Sequence, residues 1–199
     1  MNSLITRTPF QPLTPFLCWI GSHTFLLRSL DPSSDLDLVH SWACMPHARE
    51  FWGMSLHPKA FQAWYNMVLR GPGAHAYLGL LEGRPVCQLE VYDPRGLEIG
   101  MKYPVMAGDL GIHLLMGPDR RILPGLSGKV LRSVLEFLFS FPGVRRIIAE
   151  PDSRNRAAHL VARQAGFRYW DTVSLKDKEA RLYGCSRTEF FPNSTPEGN

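Results

Sequence analysis

Between Leu110 and Gly166 the apolar pattern alternates strand, helix, strand, helix, and this constrains the fold more than any other feature of the chain. Leu110–Met116 (LGIHLLM) is a short apolar run of strand length. After the segment 117–128, helical spacing takes over through Leu131, Val134, Leu135 and Leu138. Val144–Ala149 (VRRIIA) reads as a second strand. Asn155–Ala165 then carries the stripe Ala158, Val161, Ala162 and Ala165, with Gly166 at the C-cap position. Two strands joined through a helix in this way run parallel, with a right-handed crossover.

The flanks add antiparallel elements. Thr24–Leu30 has strand composition and ends at Asp31-Pro32-Ser33-Ser34, a turn and helix-start signal. Leu36, Leu38, Val39, Trp42 and Met45 form a helical stripe closed by Pro46. Phe61, Trp64, Tyr65, Val68 and Leu69 form another, stopped by Gly71-Pro72-Gly73. Ala76–Leu81 and Pro85–Tyr92 are strands joined by a hairpin-length connection. Tyr169–Leu175 and Ala180–Phe191 read as two final strands. Residues 1–22, interrupted by Pro9, Pro12 and Pro15, read as an irregular extension. The expectation is one α/β domain over 23–199, with a mixed sheet around a βαβα core. A chain of 199 residues is long enough to bury roughly 70% of its unfolded surface.

Composition excludes several classes. Lys and Arg number 22 against 18 Asp and Glu, a net charge of +4. That excess is too small, and the signs too interspersed, for a nucleic-acid surface. No apolar run approaches the ~18 residues that span a bilayer. The four cysteines are scattered without CxxC, so free thiols are expected. The histidines show no metal-ligand spacing, so no metal is expected. The first residues lack the charge and apolar pattern of a signal peptide, which leaves a cytoplasmic protein as the expectation.

In open α/β sheets ligands bind beyond the carboxyl ends of parallel strands. His113 is a titratable group alone in an apolar strand there, either a satisfied core histidine or a catalytic one. The second strand runs into Glu150-Pro151-Asp152-Ser153-Arg154-Asn155. Pro151 keeps Glu150 extended. Asp152, Ser153 or Asn155 can cap the next helix, and a carboxylate here is also placed to orient an imidazole. Between strand and helix, Gly125 and Gly128 leave backbone amides accessible at a helix start, a recipe for holding a phosphate, with Arg120, Arg121 and Lys129 adding charge. The segment is neither a Walker A loop nor GxGxxG.

The order of strand, glycine loop, helix and strand, followed by Asn155-Arg156-Ala157-Ala158 and Ala165-Gly166-Phe167, resembles the GNAT superfamily of acyl-CoA N-acyltransferases. Phe51-Trp52, Leu89-Glu90-Val91-Tyr92, the run from Gly108 to Leu115, and Ala149-Glu150-Pro151 with Asn155 look like the branch that acylates hydroxylamines or lysine side chains in siderophore assembly. The resemblance spans roughly residues 24–185. It implies acyl-CoA, acetyl or succinyl, lying in the splay between the two parallel strands. The implied CoA-binding positions are Leu114, Leu115, Met116, Arg120, Arg121, Gly125, Leu126, Ser127, Gly128, Lys129 and Asn155. His113 is implied as general base with Asp152 as its partner, and Trp52, Glu90, Tyr92 and Asp109 as residues of the acceptor side. Three positions depart from the family pattern. Ile122 and Ser127 stand in the pyrophosphate loop where Q/R and a second Gly or Ala are usual. Ala162 stands where many members carry a tyrosine that protonates the leaving thiolate.

The implied acceptor is a small N-hydroxyamine, with no nucleic acid and no membrane, and the chain a monomer or homodimer. Two other functions remain open on the residues alone. One is an N-acetyltransferase for an amino group on an antibiotic, peptide or protein; the other is a non-catalytic domain that binds CoA or a protein.

Overall fold

The computed structural model describes residues 15–52, 57–118 and 123–192. Eight strands form one sheet: β1 (Phe16–Ile20), β2 (His23–Ser29), β3 (Ala74–Leu81), β4 (Arg84–Tyr92), β5 (Asp109–Met116), β6 (Arg146–Ala149), β7 (Arg168–Leu175) and β8 (Lys178–Ser186). Their order across the sheet is β1-β2-β3-β4-β5-β6-β8-β7. Among the described residues β5 and β6 are the one parallel pair, as the alternation of periods requires. The other elements are the helices α1 (Leu36–Ala43), α2 (Pro46–Arg49), α3 (Pro58–Arg70), α4 (Leu126–Phe139), α5 (Arg156–Ala165) and α6 (Arg187–Phe190). The chain is a mixed α/β protein, and no helix among the described residues is long and apolar enough to cross a membrane.

Two apolar layers sandwich the sheet. Val130, Val134, Leu135 and Leu138 of α4, with Ala162 and Ala165 of α5, pack with Leu89, Val91, Leu110, Ile112 and Ile147. Leu36, Val39 and Trp42 of α1, with Phe61, Tyr65 and Val68 of α3, pack with Ala76, Leu78 and Leu115. Leu110 and Ile112 thus belong to one layer and Leu115 to the other, the period-2 alternation of a strand covered on both faces. The four described cysteines are free thiols.

Two boundaries and the burial of one residue differ from the sequence reading. The stretch read as irregular up to residue 22 contains β1, which forms a hairpin with β2. Phe16 packs on Phe137 of α4 at 5.3 Å while Leu17 and Trp19 face outward. Both faces of β1 are apolar, so the strand carries no visible alternation. The last strand ends at Ser186 rather than Phe191, because Ser186 and Glu189 close a capping box that starts α6. Trp64, expected in the core, is 41% exposed; Tyr65 takes the buried position next to it.

The parallel pair has a short register: Asp109↔Arg146, Leu110↔Ile147 and Gly111↔Ile148. Beyond Gly111, β5 continues to Met116 with β4 on its other edge, while β6 ends at Ala149. One edge of Ile112–Met116 is therefore left without a strand partner, and a wedge opens between the two strands. Gly111 is required here. A Cβ at this position would lie 2.0 Å from Cζ of Tyr92, whose ring lies across the strand and is almost fully buried. Gly111→Ala is expected to destabilise the protein by about 1–3 kcal/mol through overpacking. The effect is read as a lower Tm, together with reduced activity because the Tyr92 hydroxyl is displaced.

Candidate active site

His113 lies at the mouth of this wedge with its side chain 41% exposed. Its Nε2 is 2.9 Å from Oε1 of Glu150, and its Nδ1 is 3.3 Å from Oε2 of Glu90. The two carboxylates are buried. Glu90 is brought to His113 by the register Glu90↔His113 between β4 and β5. Glu150 arrives from the far side: continuing the pairing Gly111↔Ile148 by two residues sets Glu150 against His113. The Tyr92 hydroxyl donates to Oε2 of Glu150 at 2.7 Å, and Lys178 Nζ donates to the Glu150 carbonyl at 2.7 Å. The ring of Tyr92 lies 4.9 Å from the imidazole and that of Trp52 6.5 Å from it.

The electrostatics follow from this geometry. Desolvation pulls the His113 pKa down, but the charge and hydrogen bond of Glu150, then those of Glu90, outweigh it and raise the value to about 10. Burial works to raise the Glu150 pKa, yet His113, Lys178 and the Tyr92 hydrogen bond hold it below the usual carboxylate range. At neutral pH the raised pKa keeps His113 an imidazolium, held between the side chains of Glu150 and Glu90, with Lys178 beside Glu150. Both ring nitrogens face carboxylates, so His113 is held as a cation rather than as a free imidazole oriented by one partner.

The folded-state pKa of His113 lies above its unfolded value, so its stabilising contribution is complete below about pH 6.5 and is lost as pH rises through about 10. The expected result is a fall in Tm across that window that is shallower in His113→Gln. Equal slopes for the two proteins in a melting series from pH 6 to 10 would contradict it.

Asp152, the expected partner of His113, is engaged elsewhere. Its Oδ1 accepts from Arg154 N and Nε, each at 2.9 Å, and its Oδ2 from Arg154 Nη2 at 2.9 Å. Its backbone bridges to Ala180. The imidazole is bound instead by Glu150, two residues earlier, and by Glu90. Asp109, expected on the acceptor side, lies at the opposite end of β5. Both its oxygens are held by Arg146, at 2.7 Å from Nε and 2.6 Å from Nη2, and its side chain is fully buried. Trp52, Glu90 and Tyr92 do converge on His113, although the hydroxyl of Tyr92 is committed to Glu150.

At the start of α4, Gly125 is the N-cap with φ 70°, in the left-handed region where glycine carries no penalty. The Leu126 N–H donates to the Leu123 carbonyl and that of Lys129 to Gly125. The N–H groups of Ser127 and Gly128 between them make no backbone hydrogen bond among the described residues. These adjacent donors at the positive end of a 14-residue helix suit a phosphate, and Lys129 is exposed beside them. A Cβ on Gly128 would come within 3.1 Å of Gln164 Oε1, so close packing of α4 on α5 also asks for glycine there. Arg120 and Arg121 lie outside the described residues. Leu114, Leu115 and Met116 turn their side chains into the apolar layers, which leaves their backbone to the wedge. Asn155 caps α5, its side-chain oxygen accepting from Ala158 N at 3.0 Å.

The Acetyltransferase (GNAT) domain family matches residues 31–175. The chain belongs to this family. It is 27% identical over 185 residues to the lysine N-acyltransferase MbtK of Mycobacterium sp. (strain MCS), covering 92% of this chain and 74% of that one. It is 24% identical over 168 residues to the N-hydroxyputrescine acetyltransferase of Acinetobacter baumannii, with 84% and 80% covered. The solved structure of AAC(6')-Ib in complex with acetyl-CoA superposes with a TM-score of 0.75 at 26% identity, covering 86% of this chain and 98% of that one. The GNAT protein described here is accordingly an acyl-CoA-dependent N-acyltransferase. Sequence reasoning missed Glu150 as the partner of His113; the signal was the parity shared by Ile148, Glu150 and Asp152, which cannot be used without the β5–β6 register.

Proposed function

We propose that this GNAT protein moves an acetyl or succinyl group from acyl-CoA to the nitrogen of an N-hydroxylated diamine or lysine in siderophore assembly. The observation that carries the reading is the Glu90–His113–Glu150 cluster at the mouth of the wedge. The acceptor class is taken from the names of the relatives, the lysine N-acyltransferase MbtK and N-hydroxyputrescine acetyltransferase, whose acceptors are a lysine and an N-hydroxylated diamine. Trp52 and Tyr92 supply apolar surface beside it.

In this reading the acceptor nitrogen attacks the thioester carbonyl. The C–N bond forms, a tetrahedral oxyanion follows, and the C–S bond breaks. The nitrogen's proton passes to the carboxylate–imidazole cluster, and the departing CoA thiolate takes one from it, so the cluster ends as it began. With its pKa raised to about 10 the imidazolium keeps its proton throughout the neutral range. Transfer to a thiolate, whose conjugate acid has a pKa of about 8.5 for a free cysteine, is uphill until the cluster has taken the nitrogen's proton. That proton neutralises a carboxylate and makes the imidazolium a stronger acid. This assigns to His113 the acid role that the family tyrosine, replaced here by buried Ala162, cannot fill.

A second reading is favoured by the superposition on AAC(6')-Ib: transfer to a plain amino group of an aminoglycoside or similar polyamine. A panel of amines and N-hydroxyamines, assayed with acetyl-CoA and succinyl-CoA by thiol release, decides between them. A kcat/KM preference for N-hydroxyamines of at least tenfold is expected. Preference for the plain amine would transfer the assignment to the second reading.

A further inference from the structure

Glu150 has a hydrogen-bond partner on each oxygen, His113 on one and the Tyr92 hydroxyl on the other. Glu90 is bound to His113 through Oε2 only, and its Oε1 is buried with no hydrogen-bond partner among the described residues. The Tyr65 hydroxyl of α3 shows the complementary deficit: a fully buried donor without a partner. The two belong to one layer: Glu90 pairs with Ala76 across β3 and β4, and Ala76 packs in the cluster that contains Tyr65. After burial, it is Glu90 that pushes the Tyr65 phenol far above its ordinary range. A buried hydroxyl and a buried carboxylate oxygen that each lack a partner within one layer make one interaction in waiting.

We infer that Tyr65 is a positioning residue for the reaction: its hydroxyl holds Oε1 of Glu90, as Tyr92 holds Oε2 of Glu150, so that the imidazole of His113 stays clamped between two tyrosine-braced carboxylates. Nothing on the surface of α3 advertises this, because Phe61, Tyr65 and Val68 read as an apolar stripe. Among the described residues the charged and titratable groups facing the cluster are Tyr65 from α3, Tyr92 from β4, Tyr103 from the loop before β5, and Lys178 from β8 on the Glu150 side. The inference deepens the proposed function, in which the cluster handles the proton.

The test is Tyr65→Phe, which removes one oxygen and keeps the buried ring. Titration of the His113 imidazole by NMR, without any substrate, is expected to move downward by roughly one pH unit as Glu90 loosens. In a Glu90→Gln background the same substitution is expected to leave the His113 titration where Glu90→Gln alone puts it. Under turnover, kcat falls several-fold with the KM for acyl-CoA unchanged. An unmoved His113 titration in Tyr65→Phe overturns the inference, as does an equal shift with and without Glu90. The NMR readout needs no acceptor, so failure of the wild-type protein to acylate any N-hydroxyamine would remove the functional reading and leave the test of Tyr65 intact.

Discussion

His113→Ala is expected to lower kcat by ~10²–10⁴-fold, the usual range for a positioned proton-transfer group, while calorimetry shows acyl-CoA affinity nearly unchanged. The imidazole is the most exposed member of the Glu90–His113–Glu150 cluster and the one at the mouth of the wedge. The amides of Ser127 and Gly128, which suit the pyrophosphate, lie on another element and do not depend on it. The substitution also takes the only cation from between two buried carboxylates. Without it one of them is driven to take up a proton, because like charges sharing a dry site cannot both stay ionised. Part of the loss therefore appears as a lower Tm, and His113→Gln, which keeps an uncharged polar side chain with an N–H donor for one of the two carboxylates, separates folding from proton transfer. Turnover of His113→Ala within a few-fold of wild type would remove His113 from the reaction.

Much of the site was legible in the sequence because its key residues break an apolar pattern. His113 stands out in LGIHLLM, and strand parity alone sets Glu90 and Tyr92 on one face of β4, the face that meets His113. The parallel pair followed from the period changes between Leu110 and Gly166. What the sequence could not give was register. Glu150 and Asp152 share a parity, and only the pairing Gly111↔Ile148 decides that the first of them meets the imidazole. Arg146 stands in the sequence beside Arg145, a basic pair with nothing in its pattern to mark a buried partner. Its role emerges only once β6 lies against β5 and sets it beside Asp109. Tyr65 was hidden in a helical stripe because a tyrosine counts as apolar in any periodicity argument, and its hydroxyl becomes informative only through the neighbour it faces.

The same register makes Asp109 the residue whose loss should damage the fold most. Asp109 and Arg146 are the first pair of the three that join β5 to β6 in parallel. The Asp109 side chain is fully buried, and that of Arg146 is 20% exposed. Arg146 donates to both carboxylate oxygens and to the Pro104 carbonyl at 3.0 Å, and its guanidinium lies 5.3 Å from the ring of Trp170. Asp109 also accepts from Met106 N at 2.9 Å, which ties the loop before β5 to the strand. Asp109→Ala leaves the guanidinium in place with its counter-charge gone and the Met106 amide without an acceptor. Breaking a buried pair from one side typically costs 3–5 kcal/mol; the residual exposure of Arg146 argues for about 3 kcal/mol, roughly 6–12 °C in Tm. Asp109→Asn keeps an acceptor for Met106 and should recover part of that. If Asp109 instead bound the acceptor, as the family resemblance implied, Asp109→Asn would raise the acceptor KM at unchanged Tm. The position of the pair, at the closed end of β5 with His113 four residues away toward the open wedge, leads to the opposite expectation: a lower Tm with the acceptor KM of the folded fraction unchanged.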